Sequence, residues 1–171
     1  LKDIDYEKGY SLYVGIPFCP SICLYCSFGS HPLERWTKRV DEYLDTLCKE
    51  LTFIREQMGA RKLTTVYIGG GTPTTLEPEQ LRRLLSHIQE TFDFTWVKEY
   101  TVEAGRPDSI TREKLQVMKE FPVTRISVNP QTMNQKTLDV IGRKHTVEDT
   151  VNIFHMAREL EFDNINMDLI I

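Results

Sequence analysis

Three cysteines fall within eight residues, in the run Phe18-Cys19-Pro20-Ser21-Ile22-Cys23-Leu24-Tyr25-Cys26. The C-x3-C-x2-C spacing lets three thiolates converge on one centre from a single loop, and thiolates suit iron–sulfur clusters and zinc. A four-iron cluster normally takes four protein thiolates, so three leave one iron free to bind a substrate or cofactor directly. Zinc held by Cys19, Cys23, Cys26 and His31 is a second chemistry open to this set. A third reading makes the three cysteines structural. Cys48 stands apart, on a helical pattern with Val40, Tyr43, Leu44, Leu47, Leu51 and Ile54, and is expected to act as a small buried hydrophobe.

Other residue types suit the recognition of a small polar ligand. Gly69-Gly70-Gly71-Thr72-Pro73-Thr74 is a glycine-rich loop, in which the backbone can take positive φ and a ligand can approach closely. It lacks the Lys-Ser/Thr ending of a phosphate-cradling loop. Glu103 closes an otherwise apolar strand. Arg143 follows Gly142, where a cation neutralises a helix C-terminus. Asp168 lies within the apolar run Ile165–Ile171, where a carboxylate is costly to bury unless it is paired. The histidines His31, His87, His145 and His155 lack metal-ligand spacing with one another and read as solvated or satisfied.

These residues need elements to position them. Strand-type runs occur at Leu12–Ile16, Thr65–Ile68, Tyr100–Glu103, Val123–Val128 and Ile165–Ile171. Helical patterns separate them: Trp36–Gln57, a helix from Pro78 with Leu81, Leu84, Leu85 and Ile88 inward, one from Thr111, a short one ending at Gly142, and one opening on Thr146 and Asp149 in capping-box spacing. The alternation implies an α/β fold with about five parallel strands and right-handed crossovers. An open doubly wound sheet and a partial β/α barrel both fit. In either, loops after the strand carboxyl ends carry the chemistry. The cysteines, the glycine loop, Glu103 and Gln131 all fall there. The strand at Ile165–Ile171 is expected at one margin of the sheet, with the cysteine loop near the other.

Composition excludes some classes. Against 25 acids stand 21 Lys and Arg in no basic run, for a net charge of −4, so no nucleic-acid footprint is present. No apolar stretch approaches the ~20 residues of a membrane span and no signal peptide opens the chain, so a cytoplasmic protein without a membrane partner is expected. The chain opens on Leu1 and closes on a strand-like run, which reads as part of a longer protein with residues 1–11 as a lead-in.

Tyr13-Val14-Gly15-Ile16-Pro17-Phe18-Cys19, Gly69-Gly70-Gly71-Thr72-Pro73-Thr74 and Ile165-Asn166-Met167-Asp168-Leu169-Ile170 stand in order along the chain. Together they resemble the radical S-adenosylmethionine superfamily, in its branch of oxygen-independent coproporphyrinogen III oxidases, or coproporphyrinogen dehydrogenases. The resemblance implies an open β/α barrel, a four-iron four-sulfur cluster on Cys19, Cys23 and Cys26, and S-adenosyl-L-methionine as cofactor. It implies a cofactor site of Tyr13, Tyr25, Gly70, Gly71, Thr72, Glu103, Gln131, Arg143 and Asp168. Within it Gly70, Gly71 and Thr72 meet the methionine amino group, Glu103 the charged methionine end and Arg143 the carboxylate. Gln131 and Asp168 meet the ribose hydroxyls, and Tyr25 packs on the adenine. The implied reaction converts propionates of coproporphyrinogen III to vinyl groups, with an external one-electron donor. The best-known oxidases carry a further Cys where this chain has Phe28, and His where it has Gly15. The Cys-x-Phe form is shared with related haem-chaperone proteins.

Overall fold

The computed structural model describes residues 7–29 and 31–170. Five strands form one parallel sheet: β1 (Gly9–Ile16), β4 (Lys62–Gly70), β5 (Glu99–Gly105), β6 (Arg125–Val128) and β7 (Ile165–Asn166), side by side in that order. Two short strands, β2 (Phe18–Cys19) and β3 (His31–Pro32), pair with each other at the mouth of the cysteine loop. The helices are α1 (Leu33–Trp36), α2 (Val40–Met58), α3 (Pro78–Thr91), α4 (Arg112–Lys119), α5 (Gln135–Val140) and α6 (Val147–Glu159).

The strand order decides between the two architectures left open by periodicity. Each strand is added beside its predecessor in the main sheet, with no reversal, so the doubly wound switch point is absent from the described residues. Successive crossover helices touch each other in turn, α2 with α3, α3 with α4 and α4 with α6. Helices of one layer do this. The chain is an open, partial β/α barrel of five parallel strands.

Side-chain alternation assigns the two faces of the sheet. Leu12, Val14 and Ile16 of β1, with Val66 and Ile68 of β4, are buried in one cluster with Leu44, Leu51, Leu81, Leu84, Leu85, Ile88, Leu115 and Met118 from the helices. The intervening positions face the other way. Tyr13 stands opposite Tyr67, and Tyr67 opposite Thr101; one step further, Gly15 stands opposite Gly69, and Glu103 opposite Ser127. Residues that resemble ligand-binding types thus line the concave side, and aliphatics the helix side.

Helix boundaries follow the capping chemistry. Thr146 Oγ1 accepts from the Asp149 N–H at 3.0 Å, and Asp149 Oδ2 accepts from the Thr146 N–H at 2.7 Å. Pro78 occupies the first turn of α3, and Thr111 caps α4.

Four expectations need correction. The helix expected over Trp36–Gln57 is broken: α1 passes through a 3-10 turn at Thr37–Arg39 before α2 begins. The Thr37 hydroxyl donates back to the Leu33 carbonyl at 2.9 Å, and the Thr37-Lys38-Arg39 run offers no apolar side chain to hold a continuous helix on the sheet. Gly9–Ser11, expected in a lead-in, belong to β1, and residues 1–6 of that segment lie outside the described residues. Cys48 is only half-buried, one position off the buried stripe of Val40, Leu44, Leu47 and Leu51. Finally, the run Ile165–Ile171 is not a buried strand. It pairs with β6 only at Ile165 and Asn166, touches Gln131 again through Leu169, and leaves Met167, Leu169 and Ile170 exposed; Ile171 lies outside the described residues. This run does stand at one margin of the sheet, with β1 and the cysteine loop at the other. No described helix is long and apolar enough to cross a membrane.

Candidate functional site

The cysteine loop leaves β1 at Ile16 and is closed at its base by the His31 N–H, which donates to the Pro17 carbonyl at 2.8 Å. Its far end is tied to the chain after α5, where the Leu24 N–H donates to the Ile141 carbonyl at 3.2 Å. A tight turn places Cys26 beside Cys23, with the Cys26 N–H bonded to the Cys23 carbonyl at 3.1 Å. Cys19 and Cys23 are buried, Cys26 is half-buried, and all carry free thiols. Burial pushes the Cys19 thiol up, against a hydrogen bond from the Thr72 hydroxyl that pulls it down.

The glycine loop locks onto this segment. Gly71 N–H donates to the Ile16 carbonyl at 2.7 Å, and Thr72 N–H to the Phe18 carbonyl at 2.8 Å. A Cβ at Gly71 would lie 2.9 Å from Cys19 Sγ and 2.7 Å from the Phe18 carbonyl oxygen, so only glycine fits there. Gly70 has φ +105, which side-chain-bearing residues rarely adopt.

A cavity of about 390 Å³, within the range of small-molecule sites, opens above these loops on the concave side of the sheet. The three cysteines line it, as do Tyr13, Tyr25, Gly70, Gly71, Thr72, Glu103, Gln131 and Arg143. Eleven of the twelve residues singled out from the sequence therefore share one cavity. Asp168 does not line it. It is exposed, accepts from Asn166 Nδ2 at 2.8 Å, and acts electrostatically on Glu103 and Tyr67. The expected burial of Asp168 is thus corrected: the segment around it is exposed, so its charge stays hydrated.

Glu103 accepts from Asn129 Nδ2 at 2.8 Å and from the Tyr67 hydroxyl at 3.5 Å. Burial, then the Asp168 carboxylate, push its own carboxyl above the ordinary glutamate value. Tyr13 and Tyr67 stack with ring centroids 5.9 Å apart and planes 10° from parallel. Burial, with Glu103 and Asp168 nearby, pushes the Tyr67 hydroxyl up to about 12. Gln131 has φ +70 and is held there by the last segment: its N–H donates to the Asp168 carbonyl at 3.0 Å, and its carbonyl accepts from Ile170 at 2.8 Å.

Arg143 is buried and donates through Nη2 to the Tyr25 hydroxyl at 2.8 Å, while its Nε and Nη1 have no partner among the described residues. Half of a guanidinium fork buried without acceptors is costly, and an anionic ligand group in the cavity would satisfy it. His145 is also buried, with the Pro130 backbone at its ring. Burial, then the nearby Arg143, lower its pKa.

Three thiols in one loop, backbone that admits only glycine beside them, and unpartnered guanidinium nitrogens fit a thiolate-bound cluster with a cofactor that carries a carboxylate. They fit the mononuclear zinc set less well. The His31 ring lies against Trp36, with centroids 5.2 Å apart, and lines a second cavity with Tyr43 and Glu42. Among the described residues, no three His, Cys, Asp or Glu side chains converge on one metal-ion position. A cluster distributes its ligand sulfurs over separate irons and does not require that convergence.

Reasoning from the sequence missed Tyr67, Ser21 and Arg106, which also line the cavity. Tyr67 carried a usable signal, since it lies two residues before Gly69 and so faces the same side of its strand. Arg106 carried a weaker one: it follows Gly105, whose φ of +77 turns the chain at the end of β5.

Comparison with known proteins agrees with this geometry. Residues 13–171 match the radical SAM superfamily. The chain is 45% identical over 94% of its length to an oxygen-independent coproporphyrinogen-III oxidase-like protein, HemZ, of Bacillus subtilis, covering 33% of that protein. It is 41% identical over 93% of its length to the heme chaperone HemW of the same organism, covering 41% of it, and 31% identical over 96% to the oxygen-independent coproporphyrinogen III oxidase of Escherichia coli, covering 35%. The chain thus spans between a third and two fifths of these relatives. The solved Escherichia coli coproporphyrinogen III oxidase (HemN), a radical SAM enzyme, superposes with a TM-score of 0.82 at 30% identity, over 93% of this chain and 36% of that one. The chain belongs to the radical SAM superfamily, whose cofactors are a four-iron four-sulfur cluster and S-adenosylmethionine.

Proposed function

We propose that this chain is the cofactor-binding part of an oxygen-independent coproporphyrinogen III oxidase, a dehydrogenase that converts two propionates of its substrate to vinyl groups and yields protoporphyrinogen IX. The observation that carries the cofactor assignment is Arg143, whose Nε and Nη1 are buried with no partner among the described residues, at a cavity lined by three free cysteines. The substrate assignment is supported by the motifs shared with that branch and by the relatives named above.

Cys19, Cys23 and Cys26 would hold the cluster, and with S-adenosylmethionine bound beside it the pair would supply one-electron reductive cleavage of a sulfonium and hydrogen-atom abstraction from substrate. Arg143 receives the methionine carboxylate on its two unpartnered nitrogens. The amino group, a donor, is met by oxygen acceptors around Gly70, Gly71 and Thr72, because the N–H groups of Gly71 and Thr72 are already committed to Ile16 and Phe18. Glu103 accepts at the charged methionine end, and Gln131 and Asp168 take the ribose hydroxyls. Tyr25, oriented by Arg143, packs on the adenine. Tyr13 and Tyr67, stacked on each other, wall one side of the cavity. The electron comes from an external one-electron donor, and the setting is the cytoplasm.

A second reading makes the full-length protein a haem-binding chaperone, favoured by the identity to the Bacillus subtilis heme chaperone and by Phe28 after the third cysteine. The deciding experiment supplies coproporphyrinogen III to the full-length protein under anaerobic reducing conditions. Vinyl products support the oxidase. Stoichiometric haem binding without vinyl product supports the chaperone.

A further inference from the structure

One buried charge at the cysteine loop has no part in binding the cofactor as described above. Between Glu103 and Gly105 the ladder of β5 with β6 shifts register, and Gly105 follows with φ +77. The turn carries Arg106 under the cysteine loop, where its side chain is 4% exposed. Its Nε and Nη2 edge grips Asp108 in a two-bonded fork at 2.9 and 2.6 Å. That fork fixes the direction of the remaining nitrogen. Nη1 donates to the Ser21 hydroxyl at 2.7 Å and the Ser21 carbonyl at 3.1 Å, and stands 3.8 Å from Cys23 Sγ.

We propose that Arg106 tunes the cluster electrically, raising its reduction potential from a fixed position against Cys23. The inference rests on the reading of Cys19, Cys23 and Cys26 as cluster ligands. Reduction adds one electron, hence one negative charge, to a centre held by three thiolates. A guanidinium that is always charged and points a donor at one ligand sulfur stabilises the reduced form more than the oxidised one. Burial keeps water and salt from screening it. Asp108 bonds the opposite edge of the guanidinium, further from the sulfur, so it offsets part of the field while holding Arg106 in place. Charged groups that touch a metal centre's ligands, without binding the metal themselves, commonly set its properties. Arg106 is a positioning residue in this role, acting through Cys23 and without contact to substrate.

The test is a redox titration of the full-length, anaerobically reconstituted protein, monitored by electron paramagnetic resonance, with iron counted in every variant. Arg106→Gln is expected to keep its iron and to require a potential about 59 mV more negative, equivalent to a tenfold lower ratio of reduced to oxidised cluster at a fixed potential. Arg106→Lys, which keeps the charge, should lie between the two. Asp108→Asn should move the potential the other way. An Arg106→Gln protein with full iron and an unchanged or higher potential overturns the proposal. If Arg106→Gln fails to load iron, Asp108→Asn decides: an unchanged or more negative potential overturns it. A wild-type protein that takes up no iron contradicts the cluster assignment instead, so the two failures are distinct.

Discussion

Arg143 and Tyr25 lie 118 residues apart and meet at 2.8 Å, the guanidinium donating to the phenol oxygen. The contact ties the chain after α5 to the middle of the cysteine loop, and it leaves Arg143 Nε and Nη1 without a partner among the described residues. Replacing Arg143 by Ala should weaken S-adenosylmethionine binding by about 1–3 kcal/mol, the usual cost of losing a charged hydrogen-bond partner. Tyr25→Phe, which removes only the acceptor, should cost about 0.5–1.5 kcal/mol. Equilibrium dialysis with the unreduced holoprotein measures both.

Gly71 approaches Cys19 so closely that one methyl group would displace the sulfur. Gly71→Ala should therefore lower iron content without unfolding the sheet, since Gly71 lies beyond the end of β4. Iron per chain, read beside far-ultraviolet circular dichroism, separates these outcomes. Full iron content in Gly71→Ala would show that the loop yields more easily than its backbone contacts suggest.

If Glu103 takes its proposed place at the charged methionine end, cofactor binding should depend on pH. Burial and Asp168 raise its carboxyl pKa in the free protein, so it holds a proton to higher pH than an exposed glutamate would. Binding a cationic ammonium or sulfonium favours the carboxylate, so the proton must leave. Affinity should accordingly be greatest above the raised pKa and fall as pH drops through it, with proton release on binding in that window. Calorimetry in two buffers of different ionisation heat measures the release directly. In Glu103→Gln both the release and the pH dependence should vanish.

Lys114 is buried and forms no ion pair among the described residues; Nζ donates to the Thr74 carbonyl at 2.6 Å and the Ser109 carbonyl at 3.3 Å. It thereby joins the turn after the glycine loop to the turn after Arg106. Lys114→Met keeps the aliphatic bulk and strands both carbonyls, at a cost of about 1–3 kcal/mol in urea unfolding. A change below ~0.5 kcal/mol would show that water replaces the ammonium.

Most of the fold was legible because its periodicities are strong. The stripe Leu81, Leu84, Leu85, Ile88 and the pair Leu115, Met118 are fully buried where helical spacing placed them. The barrel form was legible only through the resemblance and not through periodicity: strand order is a long-range property, and alternating strands and helices have the same local pattern in either architecture. The site was legible through resemblance more than through residue chemistry. Only the cysteine spacing spoke for itself, whereas Glu103, Gln131 and Arg143 gained meaning from the motifs around them. Asp168 was misjudged because apolar neighbours imply burial only where something covers them, and the described part of that segment is exposed. Arg106 was missed because its partners, Ser21 and Cys23, are 85 and 83 residues away.

The central claim is a four-iron cluster on Cys19, Cys23 and Cys26 with one iron open to S-adenosylmethionine. Electron paramagnetic resonance of the anaerobically reconstituted and reduced protein, recorded before and after adding S-adenosylmethionine, tests it most directly. The account predicts the signal of a reduced four-iron cluster that changes on cofactor addition, disappears when any of the three cysteines is replaced by Ala, and survives Cys48→Ala. A protein that binds stoichiometric zinc with no iron signal, or a cluster signal indifferent to S-adenosylmethionine, would contradict it.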